Sequence, residues 1–182
     1  VYVSRSDLPS DAANAVHVMK MAQAFARAGH DVTLLGRTGP VAPELAQLRA
    51  AYGVGDSFAL RLLRRRGLGR STLAYLGWAL AQARGADAIY TRHLGMARLA
   101  AMLRRPCVLE LHHPAPARVL ARMLRAPRPP LLVTITDALR AHLLALPGMA
   151  GAQIIVAQDG ADPLAPDTQP ALPRSGPMRV GY

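Results

Sequence analysis

The chain has 182 residues and 51% of them are apolar, enough for a large single core and incompatible with a disordered or fibrous class. Its formal charge is +11, but 21 of the 22 basic residues are arginine beside abundant alanine, a compositional bias, and aromatics at 4% are poor material for stacking bases. With no zinc-finger, RNA-recognition or basic-zipper pattern, nucleic acid is not the expected partner, and the single cysteine, Cys107, excludes an internal disulfide and favours a reducing compartment. No secretory signal and no bilayer-length apolar run is present, so a cytoplasmic location is expected. The sequence opens VYVSR and closes MRVGY just as a new apolar stretch begins, so both ends read as cut.

In chain order, residues 1–4 read as a first strand followed by a polar loop from Arg5 to Asp11. From Ala12 to Ala28 the spacing is helical, with Val18, Met21, Ala22 and Phe25 on one face and Gly29 as the stop. Asp31 to Gly36 is a second buried strand, completing a βαβ unit. Glu44 to Tyr52 suits a short helix and Phe58 to Leu63 a strand. A helix from Ser71 to Arg84 would bury Leu73, Leu76, Gly77 and Leu80. A strand at Ala88 to Thr91 precedes a helix marked by Met96, Leu99, Ala100 and Leu103. The strand at 107–111 is followed by an arginine-striped helix at 116–125. LLVTIT is the next strand, and Thr136 can cap a helix whose core face is Leu139, Leu143 and Leu146. QIIVAQDGAD is a last strand ending in an Asp159-Gly160 turn. Strands alternate with helices, so the expected class is α/β, a Rossmann-like, open, mostly parallel sheet with helices on both faces.

The stretch VLELHHP, 108–114, organises the rest. An apolar run with no polar interruption suits a strand buried on both faces, and the polar change at Glu110, His112, His113 and Pro114 falls at its carboxyl end. In open α/β sheets ligands bind at that edge. Alternation places Glu110 and His112 on one face and His113 on the other. A carboxylate inside a buried strand needs a partner. Glu110 can orient His112 or an acceptor hydroxyl, or form a structural pair with an arginine such as Arg92, the latter being slightly favoured. Arg92 and His93 follow the IYT strand at the same edge, where arginine can grip a phosphate or carboxylate with two parallel bonds. No metal is expected, because His112 and His113 are adjacent and no ligand spacing of the H-x3-H or C-x2-C kind occurs.

Four segments carry a family resemblance. SDAANAVHVMKMAQAFARAGHDVTLL, ADAIYTRHLGMARLA, VLELHHPAP and IIVAQDGAD follow one another as in the retaining glycosyltransferases of family 4, which have the GT-B fold, and RVGY resembles the opening of that fold's C-terminal domain. The resemblance implies the N-terminal half of a two-domain enzyme: an acceptor-side domain at 1–162, a proline-rich linker at 163–177 and the start of a second domain at 178–182. It also implies transfer from a nucleotide-sugar, a co-substrate rather than a bound cofactor, to a glycan or lipid-linked acceptor, with no metal and little turnover by this chain alone. His112 would stand beside the transferred sugar, as the residue supporting positive charge at the anomeric carbon, and His113 is a weaker candidate.

Where the family often has a Gly-Gly turn before the first helix, this sequence has Ser10 to Asn14. That departure shifts the expected donor contacts to the side chains of Asn14 and His17, the latter in the first turn. Arg118, Arg122 and Arg125 form one helical stripe and Arg64, Arg65 and Arg66 a second basic patch. Together they could meet an anionic membrane, although a solvated face is the favoured reading. The rival to the transferase is a non-catalytic Rossmann-like binding or regulatory domain.

Overall fold

The computed structural model describes residues 1–67 and 71–160. Seven strands, β1 (Tyr2–Asp7), β2 (Thr33–Thr38), β3 (Ala59–Arg64), β4 (Ile89–Thr91), β5 (Cys107–Leu111), β6 (Leu131–Thr134) and β7 (Ile154–Val156), form one sheet in the order β3-β2-β1-β4-β5-β6-β7. Every neighbouring pair is parallel. The helices between them are α1 (Ala13–Arg27), α2 (Leu45–Ala51), α3 (Thr72–Gln82), α4 (Leu94–Met102), α5 (Ala117–Leu124) and α6 (Asp137–Leu144). The Rossmann-like class expected from the alternation of elements is what the chain adopts. The expected linker at 163–177 and the strand at 178–182 lie outside the described residues.

The order of strands fixes where a ligand can sit. From β1 the chain first moves outward through β2 and β3, then returns to β4 and proceeds the other way to β7. Parallel crossovers keep one hand, so the helices of the two halves fall on opposite faces. Two cores result. Val18, Met19 and Ala22 of α1 and Leu48 of α2 pack with Tyr2 and Leu34. Side chains of α3 to α6, including Tyr75, Met96, Leu120 and Leu143, pack with Val3, Leu109 and Leu132. Between the tips of β1 and β4 the direction reverses, which opens a crevice at the carboxyl edge.

Several elements differ from expectation for identifiable reasons. β1 continues to Asp7 instead of stopping at residue 4. Its serines are satisfied within the strand: the Ser4 and Ser6 hydroxyls lie 2.8 Å apart, and Ser6 N–H donates to Ser4 Oγ at 3.1 Å. β2 is displaced toward its carboxyl end, running from Thr33 to Thr38. Arg37, 9% exposed, is accommodated there because its Nε donates to Arg5 O at 3.1 Å and pairs with Asp7 at 3.2 Å. α3 is rolled from its expected face. Leu73 is 80% exposed, while Tyr75, Leu76 and Ala79 are buried. Tyr75 sets this orientation, its hydroxyl donating to Ser4 O and lying 3.1 Å from Leu35 O. On α4, Ala97 and Ala101 join Met96 and Ala100 in the core, and Leu103 is exposed.

Tyr75→Phe keeps the ring packing and removes the buried hydroxyl shared by the Ser4 and Leu35 carbonyls, so it should cost about 1–3 kcal/mol. A denaturant midpoint unchanged within error would show that the hydroxyl does not anchor α3. Thr136 caps α6 as expected, with Leu139 N–H donating to its Oγ1 at 3.1 Å. Cys107 is buried, and burial pushes its thiol up to about 12, so it is an unreactive core residue. No helix among the described residues is long and apolar enough to cross a membrane.

Candidate active site

On β5, Cys107, Leu109 and Leu111 face the core of α3 to α6, so Val108 and Glu110 face the side of α1. Glu110 is 3% exposed and meets two imidazoles. Its Oε1 lies 2.5 Å from His112 Nε2 and 3.1 Å from His17 Nε2. His112 follows the end of β5, whereas His17 sits one turn into α1, beyond the first turn in which it was expected. The two rings meet edge to face, centroids 4.9 Å apart. On the opposite edges of both rings stands Asp159, its carboxylate 3.7 Å from His17 Nδ1 and from His112 Nδ1.

This arrangement fixes protons. Burial alone would raise the Glu110 carboxyl, but the hydrogen bonds and charges of His17 and His112 outweigh it and hold the group at about 2. Glu110 is therefore ionised at neutral pH; it is hydrogen-bonded to His112 Nε2, and His17 Nε2 stands 3.1 Å from the same oxygen. With each Nε2 turned to Glu110, the two Nδ1 atoms face Asp159 and the open edge. Beside Glu110 lie the buried Tyr2 phenol and the half-buried Tyr90 phenol. Burial first and then the Glu110 charge push Tyr2 and Tyr90 well above the ordinary phenol range, so both remain protonated.

A second group lies at the reversal point of the sheet. Ser4, Arg5 and Ser6 of β1, Asn14 and Val18 of α1, and Arg92 and His93 after β4 line a cleft of about 260 Å³. Asn14 Nδ2 donates to Ser6 Oγ at 3.3 Å. His93 caps α4, accepting the Met96 N–H at its Nδ1 over 3.1 Å. The ring can fold back this far because residue 95 is glycine; a Cβ there would come within 2.8 Å of His93 Cε1. The loop that leaves β1 is held by Tyr52, whose hydroxyl accepts from Ser10 N–H at 2.7 Å and donates to Ser10 O at 2.8 Å. A larger hollow of about 580 Å³ lies at the opposite, amino edge beside Val1, Asp31 and Asp87, away from these strand tips.

The sequence-derived candidates thus fall into two adjoining groups. His17, Glu110 and His112 share one cluster, and Asn14, Arg92 and His93 share the neighbouring cleft. His113 is exposed and belongs to neither. The favoured pairing of Glu110 with Arg92 does not form; its charge is met by the two histidines instead. The Asp159-Gly160 pair predicts a turn, yet residues 157–160 contain no turn and Gly160 is not in the left-handed region. The Asp159 carboxylate faces the imidazoles, a role that spacing along the chain gave no sign of. Ligand atoms of His17, Glu110, His112 and Asp159 lie within 4.8 Å of one another, a donor set of the kind that takes a divalent cation, assembled from three separate segments. The short His112 Nε2 to Glu110 Oε1 contact is that of a hydrogen bond within the set.

A family model described as Glycosyltransferase Family 4 matches residues 15–163. Among solved structures, the chain resembles Anabaena Alr3699/HepE in complex with UDP and glucose, with 16% identity and a TM-score of 0.57. The same protein in complex with UDP gives 17% and 0.55. In each case the match covers 88% of this chain and 44% of the other, so the chain spans less than half the length of these proteins. At such identity the likeness speaks for the fold. No curated protein matches the sequence.

Proposed function

The chain belongs to glycosyltransferase family 4, and from that premise we propose that it is the N-terminal, acceptor-side domain of a retaining enzyme. The reaction is transfer of a sugar from a nucleotide-sugar to a glycan or lipid-linked acceptor. The observation that carries this reading is the buried Glu110 carboxylate, ionised and in close contact with two imidazoles, at the carboxyl edge where an α/β sheet binds its ligand. His112 is the residue set beside the transferred sugar. Its Nε2 is committed to Glu110, so Nδ1 is the ring atom left to meet a sugar hydroxyl. His17 and Asp159 complete the wall. Glycosyl transfer develops positive charge at the anomeric carbon. The carboxylates of Glu110 and Asp159, which stand on either side of the two rings, favour that charge.

The nucleotide-sugar is a co-substrate, and no metal is required by this reading. Because the resembling HepE structures hold UDP, UDP-sugars are the first donors to test. The enzyme is read as cytoplasmic. The exposed Arg118, Arg122 and Arg125 of α5 are read as a solvated face, and they are the surface to examine for membrane contact if the acceptor is lipid-linked.

The test is a screen of UDP-, GDP- and ADP-sugars against the complete gene product, with transfer or slow donor hydrolysis as readout and the anomeric configuration of the product checked. Retention with one donor is expected, and the 182-residue chain alone should show no measurable turnover. A gene product that binds a small ligand at these strand tips but turns over no nucleotide-sugar would favour the non-catalytic binding domain instead.

A further inference from the structure

We infer that the cleft between the tips of β1 and β4 seats a phosphate-type anion carried by the acceptor, gripped by Arg5, Arg92 and His93. This rests on the transferase reading for the word acceptor, but the anion site itself rests on the cleft.

The cleft is built for negative charge and holds none. Two guanidinium groups line it and no carboxylate does. Asp7, the acidic residue of β1, is already engaged by Arg37 at 3.2 Å and Arg65 at 3.0 Å. Arg92 has no hydrogen-bond or ion-pair partner among the described residues. Arg5 Nε is fully buried and also lacks a partner. The most telling contact is Arg5 Nη1 to His93 Nε2, at 3.3 Å. Since His93 Nδ1 accepts the Met96 N–H, the neutral ring carries its proton on Nε2. A guanidinium N–H therefore faces an imidazole N–H, two donors with no acceptor between them. An anion placed against both resolves the conflict, and the serine hydroxyls and Asn14 beside them can donate further.

His93 is held below its ordinary range by burial first, then by Arg5 and Arg37. An anion in the cleft would counter those two positive charges, which makes the ring a reporter of occupancy. Placement ties the site to the reaction. Asn14 and His17 lie one helical turn apart on α1, and β4 adjoins β5, so the anion would sit roughly 5–10 Å from the imidazole cluster. That is about the span of one sugar ring, which suits an acceptor whose reacting hydroxyl stands at the imidazole cluster and whose phosphate occupies the cleft.

The experiment titrates the chain with inorganic phosphate while following the His93 ring resonances by NMR. Saturable shifts are expected, with Arg5→Gln and Arg92→Gln each weakening binding about 10-fold and Arg118→Gln, on the exposed α5 stripe, leaving it unchanged. Absence of saturation, or equal weakening by Arg118→Gln, overturns the site. The titration is then repeated on the complete gene product saturated with UDP, GDP or ADP. Phosphate that still reaches His93 beside a bound nucleotide assigns the anion to the acceptor. Phosphate shut out by the nucleotide assigns the cleft to the donor diphosphate and overturns the proposal. A gene product that binds no nucleoside diphosphate removes the acceptor assignment together with the transferase reading, whereas a chain that ignores phosphate sinks the anion site alone.

Discussion

Glu110→Ala is expected to destabilise the chain by about 3 kcal/mol, because it takes away the hydrogen-bond partner of His112 and the charge that faces His17, and empties the tip of a central strand. Domains of this size have about 5–15 kcal/mol in total, so the shift in denaturant midpoint would be large. A second, more specific expectation concerns acid. The Glu110 carboxyl is held at about 2 in the folded protein against an ordinary value of 4.5. A depressed carboxyl contributes stability that is fully present above its unfolded value and is lost as pH falls through the folded one. The wild-type chain should therefore lose stability between about pH 4.5 and pH 2 with a slope that Glu110→Gln lacks, even though the glutamine fills the same space. A loss below 1 kcal/mol for the alanine variant, with the acid slope intact in the glutamine variant, would mean that Glu110 is not the anchor of the two rings.

The second large effect is catalytic. In the complete gene product, His112→Ala should lower kcat about 100-fold or more while leaving the KM of the nucleotide-sugar within a few-fold. Removal of one preorganised group at a developing charge typically costs 10²–10³ in rate. Folding stability should fall less than for Glu110→Ala, because Glu110 keeps His17 as a partner. His112→Gln, which can still donate and accept, should recover part of the rate. Turnover within three-fold of wild type for His112→Ala would remove the imidazole from the reaction and leave Glu110 and His17 as a structural pair.

The strands and their carboxyl-edge chemistry were legible because they depend on local signals. β5 could be placed to the residue, since an apolar run flanked by Pro106 and a polar change has few alternatives. Alternation along it correctly set Glu110 and His112 on the same face. Errors arose where tertiary contacts supply what the local sequence lacks. Arg5 to Asp7 look like loop residues until Arg37 is placed beside them on the neighbouring strand. Leu73 looks like a core residue until the Tyr75 hydroxyl finds the carbonyls of β1 and β2. Asp159 was read through Gly160, the residue after it, as half of a turn. Its partners come from α1 and the end of β5, and no spacing rule connects three such distant segments. His17 is singled out by the sequence as a donor contact, in place of the family's Gly-Gly turn, and its meeting with Glu110 has no signal in the chain.

Asn14 and His17 ride on consecutive turns of one 15-residue helix, the first reaching the β1–β4 cleft and the second the imidazole cluster. A stiff rod with its foot in two neighbouring hollows cannot tilt in one without disturbing the other. Trimming its underside, for instance at the buried Val18, should therefore perturb both hollows together, and a matched change in phosphate affinity and in the His112 environment would be the signature of that shared support.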